Sequence, residues 1–323
     1  MALSEFEIIR RFFTHQPRTA VLGVGDDAAI VRARRGVDLA VSADMLVAGR
    51  HFFHDADPER LGHKALAVNL SDMAAMGATP RWATLSVALP RVDARWLAAF
   101  ARGFMRLARR HGVDLVGGDT TRGPLNISVQ VIGETPSGAA LRRDGARADD
   151  DVWVSGTLGD AALALAAVKR RFALTRRERV RLGQRLHAPT PRVALGEALR
   201  GVARSAIDVS DGFIADLGHI CERSRVGAVV RLEAIPASAI MRRHLDRPAA
   251  RTALLAGGDD YELVFTAARA QRTAVARLSR RLRLRLTRVG IITRQRRGIP
   301  LVTVLDSSAR PLTVKRGGYE HFE

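Results

Sequence analysis

Two α/β domains are what the sequence predicts, on three observations. Strand-like apolar runs alternate with helical periodicities along the whole chain. At 323 residues the chain can hold two cores of ordinary size. A charged, glycine-containing stretch at 141–151 separates two such alternations, which puts the domains at 1–140 and 141–323.

The elements follow in order. Residues 4–14 predict a short helix, with Ser4 as N-cap and Glu7 completing a capping box. Residues 21–31 read as an apolar strand interrupted by Gly25-Asp26-Asp27, and 38–42 as a strand with Ala43 and Asp44 at its end. Asp57-Pro58 is an N-cap followed by proline at the first helical position. In the helix that follows, Leu66, Leu70, Met73 and Ala74 recur at helical spacing, and Gly77 stops it. Residues 82–89 are strand-like, and Asp93 caps a helix that ends at Gly112. A short strand at 113–116 runs into GGDTTRG, and 126–133 alternates like another strand. In the second half, 152–155 is a strand, followed by an Ala/Leu helix to Val168 and an Arg-rich helical stretch at 170–187 that Pro189 and Pro191 break. A helix at 193–199, the segment AIDVSDG leading into a helix at 213–223, and a strand at 227–232 come next. GGDDYELVF is a turn feeding a strand, and RLRLRL at 281–286 has the period of a half-exposed strand.

The formal charge is +19, and Lys64, Lys169 and Lys315 are the only lysines, so arginine carries the excess. Such a balance admits a nucleic-acid binder, but the arginines do not alternate with aromatics as a single-strand platform needs. Bias spread over the whole chain fits a solvated surface, whose field also draws anionic substrates. Cys221, the single cysteine, excludes a disulfide framework and a Cys-rich zinc site, and its apolar helical setting predicts a buried, inert thiol. Neither a basic-then-apolar leader nor a membrane-length apolar run occurs, so the expectation is a soluble, cytoplasmic protein.

The chemistry lies in aspartates beside small residues: Asp26-Asp27, Asp44, Asp72, Asp119, Asp208, Asp211 and Asp259-Asp260. Any one of these pairs is more often a turn or a solvated acid than a ligand. Asp72 is the sharpest case, because it falls inside an apolar helix where an unpaired carboxylate is costly. Carboxylates bind polyphosphates only through a cation, and Mg²⁺ takes one or two of them together with phosphate oxygens and water. The glycines let the backbone approach, and backbone N–H groups can bond phosphate. A Walker A loop, the protein-kinase signatures, H-E-x-x-H and G-x-S-x-G are all absent. Together the turns point to a Mg²⁺-phosphate site on some other scaffold.

GDDAAI at 25–30, SADMLVAGRHF at 42–52, KALAVNLSDMAAMGA at 64–78, GGDTTRGP at 117–124, AIDVSDG at 206–212, GGDDYEL at 257–263 and GGYEHF at 317–322 form an ordered set from which the chain resembles the thiamine-monophosphate kinases. VNLSDMAAMGA alone is similar to the wider aminoimidazole ribonucleotide synthetase-like superfamily. The resemblance implies the two-domain α/β (α+β) fold of that superfamily, its N-terminal domains pairing through their sheets in a homodimer. It implies transfer of phosphate from ATP to thiamine monophosphate, giving thiamine diphosphate and ADP with Mg²⁺, in thiamine diphosphate biosynthesis. Carried over by motif, Asp27, Ser42, Ala43, Asp44, Asp72, Asp119, Asp208 and Asp211 would ligate metal. Gly118, Asp119, Arg143 and Ser210 would contact ATP, and His51, Asp259 and Tyr319 the thiamine phosphate. Asp72, Asp119, Asp211 and Arg143 would carry catalysis. At Ala43 the family often has Thr or Ser, so only a backbone carbonyl remains there; at Asp259 Glu is common, and the shorter carboxylate reaches less far. The alternatives are another ATP-dependent synthetase of the superfamily and, in a different class, a basic nucleic-acid-binding protein.

Overall fold

The computed structural model describes residues 4–312 and Gly318. The chain divides into two compact units, Met1–Met73 with Ala78–Gly138, and Ala74–Gly77 with Ala139–Glu323.

In the first unit, α1 (Glu5–Ile8) starts from the reciprocal Ser4–Glu7 capping box and runs into a π-helical turn at Ile9–Phe13. Then come β1 (Val37–Val47), α2 (Pro58–Ala75), β2 (Thr79–Leu89), α3 (Ala94–His111), β3 (Asp114–Arg122) and β4 (Asn126–Pro136). The sheet order is β1-β4-β2-β3, antiparallel except for the β2/β3 pair that α3 connects. Asp57 caps α2 through the Arg60 N–H at 2.8 Å, and Gly77, at φ +64°, stands past its end. Asp93 accepts from the Arg95 and Trp96 N–H groups, and Gly112 closes α3 in the left-handed region.

Three sequence expectations change here. Residues 21–31 form no strand, only single bridges at Leu22–Ile30 and Val24–Asp26, because Gly25 turns the chain at φ +130° and Val21 and Ile30 face outward. β1 runs on to Val47, so Ala43 and Asp44 lie within it rather than at its end. GGDTTR, expected as a loop, is strand β3, because β2 supplies a full partner from Thr84 to Leu89.

α2 and α3 cross at glycines. A Cβ on Gly103 would stand 1.8 Å from the Glu59 carbonyl oxygen, and one on Gly62 2.0 Å from that of Phe100. Gly103→Ala is therefore expected to cost about 1–3 kcal/mol in denaturant unfolding despite alanine's better helix propensity. Gly183, where an added Cβ meets only His187 at 3.7 Å, is the control: Gly183→Ala is expected to stabilise by about 0.5–1 kcal/mol.

The second unit holds β5 (Asp151–Ser155), α4 (Asp160–Val168), α5 (Arg176–His187), α6 (Val193–Leu199), β6 (Ser205–Asp208), α7 (Phe213–Ser224), β7 (Val226–Arg231), α8 (Ala239–Arg242), α9 (Pro248–Ala256), β8 (Leu263–Ala267), α10 (Arg272–Leu282), β9 (Leu286–Arg294) and β10 (Val302–Leu305). Its six-stranded sheet has the order β10-β7-β9-β5-β8-β6, and every residue of β8 is buried. RLRLRL is not a strand. Arg281 and Leu282 finish α10, Arg283 caps it at φ +48°, and β9 starts only at Leu286. Val275 and Leu278, buried at helical spacing, outweigh three alternating pairs.

Cys221 is fully buried on α7, and burial pushes its thiol up to about 12, as an inert core cysteine requires. Several arginines share an acid in pairs: Arg34 and Arg81 with Glu134, Arg102 and Arg106 with Glu59, Arg272 and Arg288 with Asp151. Among the described residues no helix is long and apolar enough to cross a membrane.

Candidate active site

Residues two apart on a strand share a face, and residues three apart on a helix share a side. β1 and α2 use both rules to face Ser42 and Asp44 with Asn69 and Asp72. The Ser42 hydroxyl donates to Asp72 Oδ2, and the Asp44 N–H donates to Asn69 Oδ1 at 3.1 Å. Asn69 itself is anchored by donating to the Ala65 carbonyl at 3.2 Å. The polar residues of this apolar helix are thus engaged rather than solvated. Ala43 lies between Ser42 and Asp44, so its side chain takes the opposite, exposed face. Past β1, His51 Nδ1 accepts the Val47 N–H at 3.0 Å, which puts a neutral ring's proton on Nε2. The buried Lys64 ammonium lies 3.5 Å from the His51 carbonyl oxygen.

Asp27, Gly118 and Asp119 gather elsewhere in the same unit. With Gly25 and Asp26 they line a cavity of about 560 Å³ whose apolar wall is Phe6, Ile9 and Phe13. Gly118 has φ +149°, and a Cβ there would stand 1.8 Å from the Leu85 carbonyl oxygen, so only glycine fits. Asp119 pairs with Ser86, Ser86 with Ser128, and Ser128 with Met45. β1 and β3 are opposite edges of the sheet, about 14 Å apart at three strand spacings. Asp119 shares the face of Met45, whereas Asp44 takes the other. The fold therefore sets Asp27 and Asp119 apart from Ser42, Asp44 and Asp72, although the sequence reading placed all of them in one ligand set.

In the second unit, Asp208 ends β6 and Ser210-Asp211-Gly212 lead into α7. The N–H groups of Ser210, Asp211 and Gly212 all donate to Asp216 Oδ2, at 3.1, 3.2 and 3.0 Å. Burial holds the Asp216 carboxyl up, at about 7, against those donors and with help from the Asp211 charge. These N–H groups, open to phosphate on the sequence reading, are taken by the protein's own carboxylate. The GGDDYEL segment lies alongside: Asp259 N–H donates to Ser210 O at 2.9 Å, and Tyr261 N–H to Val209 O at 2.8 Å. Gly318 is adjacent, since a Cβ on it would lie 3.2 Å from the Asp211 carbonyl oxygen. Tyr319 lies outside the described residues.

Arg143 is not brought to Ser210 and Asp211. Its carbonyl accepts the Ser224 hydroxyl at the C-terminal end of α7, a twelve-residue helix about 18 Å long, and the loop is at the other end. Beneath GGDDYEL is a network that sequence reasoning missed. Glu262, fully buried, accepts from Arg192 at 2.6 Å, Arg185 at 2.7 Å and the Ser155 hydroxyl at 2.6 Å. Burial raises its pKa, but the two guanidiniums overcome this and hold it below the ordinary range. Burial pushes neighbouring Asp260 well up; its Oδ2 accepts the Gly159 N–H at 2.6 Å. The available signal was an acidic pair at alternating positions entering a largely apolar strand.

Among the described residues no three His, Cys, Asp or Glu side chains form a ready metal cluster. The donors at β1 and α2 are nonetheless all oxygen, without thiolate or imidazole, and two carboxylates on rigid elements suit a hard cation that draws its other ligands from phosphate and water.

Residues 25–135 match the family model for the N-terminal domain of AIR synthase related proteins, and 147–302 the model for the C-terminal domain. The thiamine-monophosphate kinase of Salmonella typhimurium is 43% identical over 326 residues, covering 100% of this chain and 99% of that protein. The crystal structure of thiamine-monophosphate kinase from Stenotrophomonas maltophilia is 48% identical with a TM-score of 0.85, covering 94% of this chain and 97% of that one. AaThiL complexed with AMPPCP and TMP is 30% identical with a TM-score of 0.78, covering 93% and 92%.

Proposed function

Because this chain belongs to the thiamine-monophosphate kinase family, we propose that it transfers the γ-phosphoryl group of ATP to thiamine monophosphate, giving thiamine diphosphate and ADP. The observation that carries the reading is the full-length match to these kinases, joined to a β1/α2 site whose donors are all oxygen. A relative of the same fold holds AMPPCP and TMP together, the pair such a transfer requires.

A phosphate oxygen of the acceptor forms the new bond to the γ-phosphorus as the bond to the β–γ bridging oxygen breaks, and ADP leaves with that electron pair. The acceptor oxygen is already ionised at neutral pH, so the reaction needs no general base. His51 agrees, because its Nδ1 is committed to a backbone N–H. The barrier is repulsion and misalignment of two anions. Mg²⁺ held by Ser42, Asp44 and Asp72 in the first unit would neutralise phosphoryl charge; Asp208 and Asp211 are the metal ligands proposed in the second unit. Asp27, Gly118 and Asp119, which line one cavity, take the nucleotide end. Ser210 contacts ATP in this reading, and His51 and Asp259 contact thiamine monophosphate. The working form is a cytoplasmic homodimer; Leu39, Val41 and Met45, exposed on one face of edge strand β1, are the surface a second copy would cover.

Purified protein with ATP, MgCl₂ and thiamine monophosphate is expected to yield thiamine diphosphate and ADP in equal amounts, abolished by EDTA and resolved by chromatography. ADP with free phosphate and no thiamine diphosphate would mean a different acceptor. Untouched ATP would overturn the reading. Covalent phosphate on the protein would exclude direct transfer.

A further inference from the structure

GGDDYEL carries two side chains where the backbone disfavours them. Asp259 has φ +67° and Tyr261 φ +51°. Asparagine and aspartate tolerate the left-handed region, but a bulky residue there is a rare outlier. Such strain persists only where the surroundings over-determine it, and it gathers at ligand clamps. Here the surroundings are explicit. The Asp259 and Tyr261 N–H groups are tied to Ser210 and Val209, and the Val209 N–H to the Glu262 carbonyl at 2.8 Å. The side chains that alternate with them are pinned from below, Asp260 by the Gly159 N–H and Glu262 by Arg185 and Arg192. Arg185 also donates to the Asp260 carbonyl at 3.1 Å. One result of this contortion is specific: the hydroxyl of the buried Tyr261 reaches back two residues to donate to Asp259 Oδ1 at 3.1 Å.

We propose that Tyr261 is a positioning residue for the acceptor substrate, its hydroxyl fixing the plane of the Asp259 carboxylate. The proposal rests on the reading of Asp259 as a contact to thiamine monophosphate. That acceptor carries a cationic thiazolium and an aminopyrimidine, both of which a carboxylate of fixed orientation recognises better than one free to rotate. Tyr261 touches no reacting atom, so its loss weakens acceptor binding and leaves the nucleotide step alone.

Tyr261→Phe removes only the hydroxyl. The KM for thiamine monophosphate is expected to rise about three- to tenfold, with kcat, the KM for ATP and the thermal midpoint unchanged. Asp259→Ala, which removes the acceptor of the Tyr261 hydroxyl, is expected to raise the same KM more, and Tyr261→Phe added to it is expected to change nothing further. If Asp259→Ala raises the KM while Tyr261→Phe leaves it within twofold, the positioning role is overturned and the Asp259 reading stands. An undiminished effect of Tyr261→Phe in the Asp259→Ala background overturns it too, because the hydroxyl then acts by itself. If Asp259→Ala leaves the KM unchanged, the reading of Asp259 fails and the positioning role falls with it.

Discussion

Asp72→Asn is expected to lower kcat by about 10²–10³-fold while leaving the thermal midpoint within a few degrees of the parent. The substitution keeps the size and planarity of the side chain, and its amide oxygen can still accept the Ser42 hydroxyl that now bonds Asp72 Oδ2. What disappears is the negative charge. Asp72 lies on the helix face that meets β1, beside Asn69, whose oxygen holds the Asp44 backbone. A cation bound there loses a charged ligand, so the MgCl₂ concentration for half-maximal rate rises, and added MgCl₂ restores part of the activity. Steady-state ADP release across a MgCl₂ series reads both effects. Turnover within tenfold of the parent at every MgCl₂ concentration would remove Asp72 from the metal set. A nucleic-acid-binding protein predicts something else: no dependence on Asp72, and affinity that falls steeply with salt.

Glu262→Gln is expected to destabilise the fold more than any other single substitution considered, by about 3–5 kcal/mol in denaturant unfolding at pH 7. Among the described residues Glu262 is the carboxylate that accepts from both Arg185 and Arg192, and removing its charge takes the ion-pair partner from two largely buried guanidiniums, leaving Arg185 only the Asp260 carbonyl and the more distant Asp160 and Asp260 charges. The pH dependence has a definite sign. Because the folded pKa lies below the unfolded one, the stabilisation is complete above the unfolded value and is lost as pH falls through the folded value. Parent and variant unfolding curves should therefore converge in acid and stand furthest apart near neutrality. A gap that is constant with pH would mean that packing, not charge, is what Glu262 supplies.

The sequence announced those elements whose signals are local. The Ser4–Glu7 box, Asp57-Pro58, the Asp93 cap and the Gly112 stop each satisfy a helix end from within a few residues, and each stands where expected. Elements decided by distant partners were harder to read. GGDTTR looks like a loop until β2 lies beside it, and RLRLRL looks like a strand until Val275 and Leu278 commit the chain to a helix. The site divides along the same line. Motifs reveal which residue types cluster in sequence, but not which edge of the sheet they occupy, so Asp119 and Asp72 seemed neighbours. Arg143 seemed close to Ser210 because the sequence shows the helix at 213–223 but not that the Arg143 backbone packs at its far end. Asp216 was missed because an acid in a helix's first turn is ordinary. Its importance appears only when three N–H groups are seen to converge on one oxygen.

That convergence bears on how the enzyme treats ions that are not its substrates. Three N–H groups at the start of a helix would ordinarily attract orthophosphate or sulfate. With Asp216 Oδ2 already accepting from all three, a stray anion meets donors that are engaged. The loop that carries Ser210 and Asp211 is thus braced by the protein's own side chain and needs no bound anion to satisfy its N–H groups.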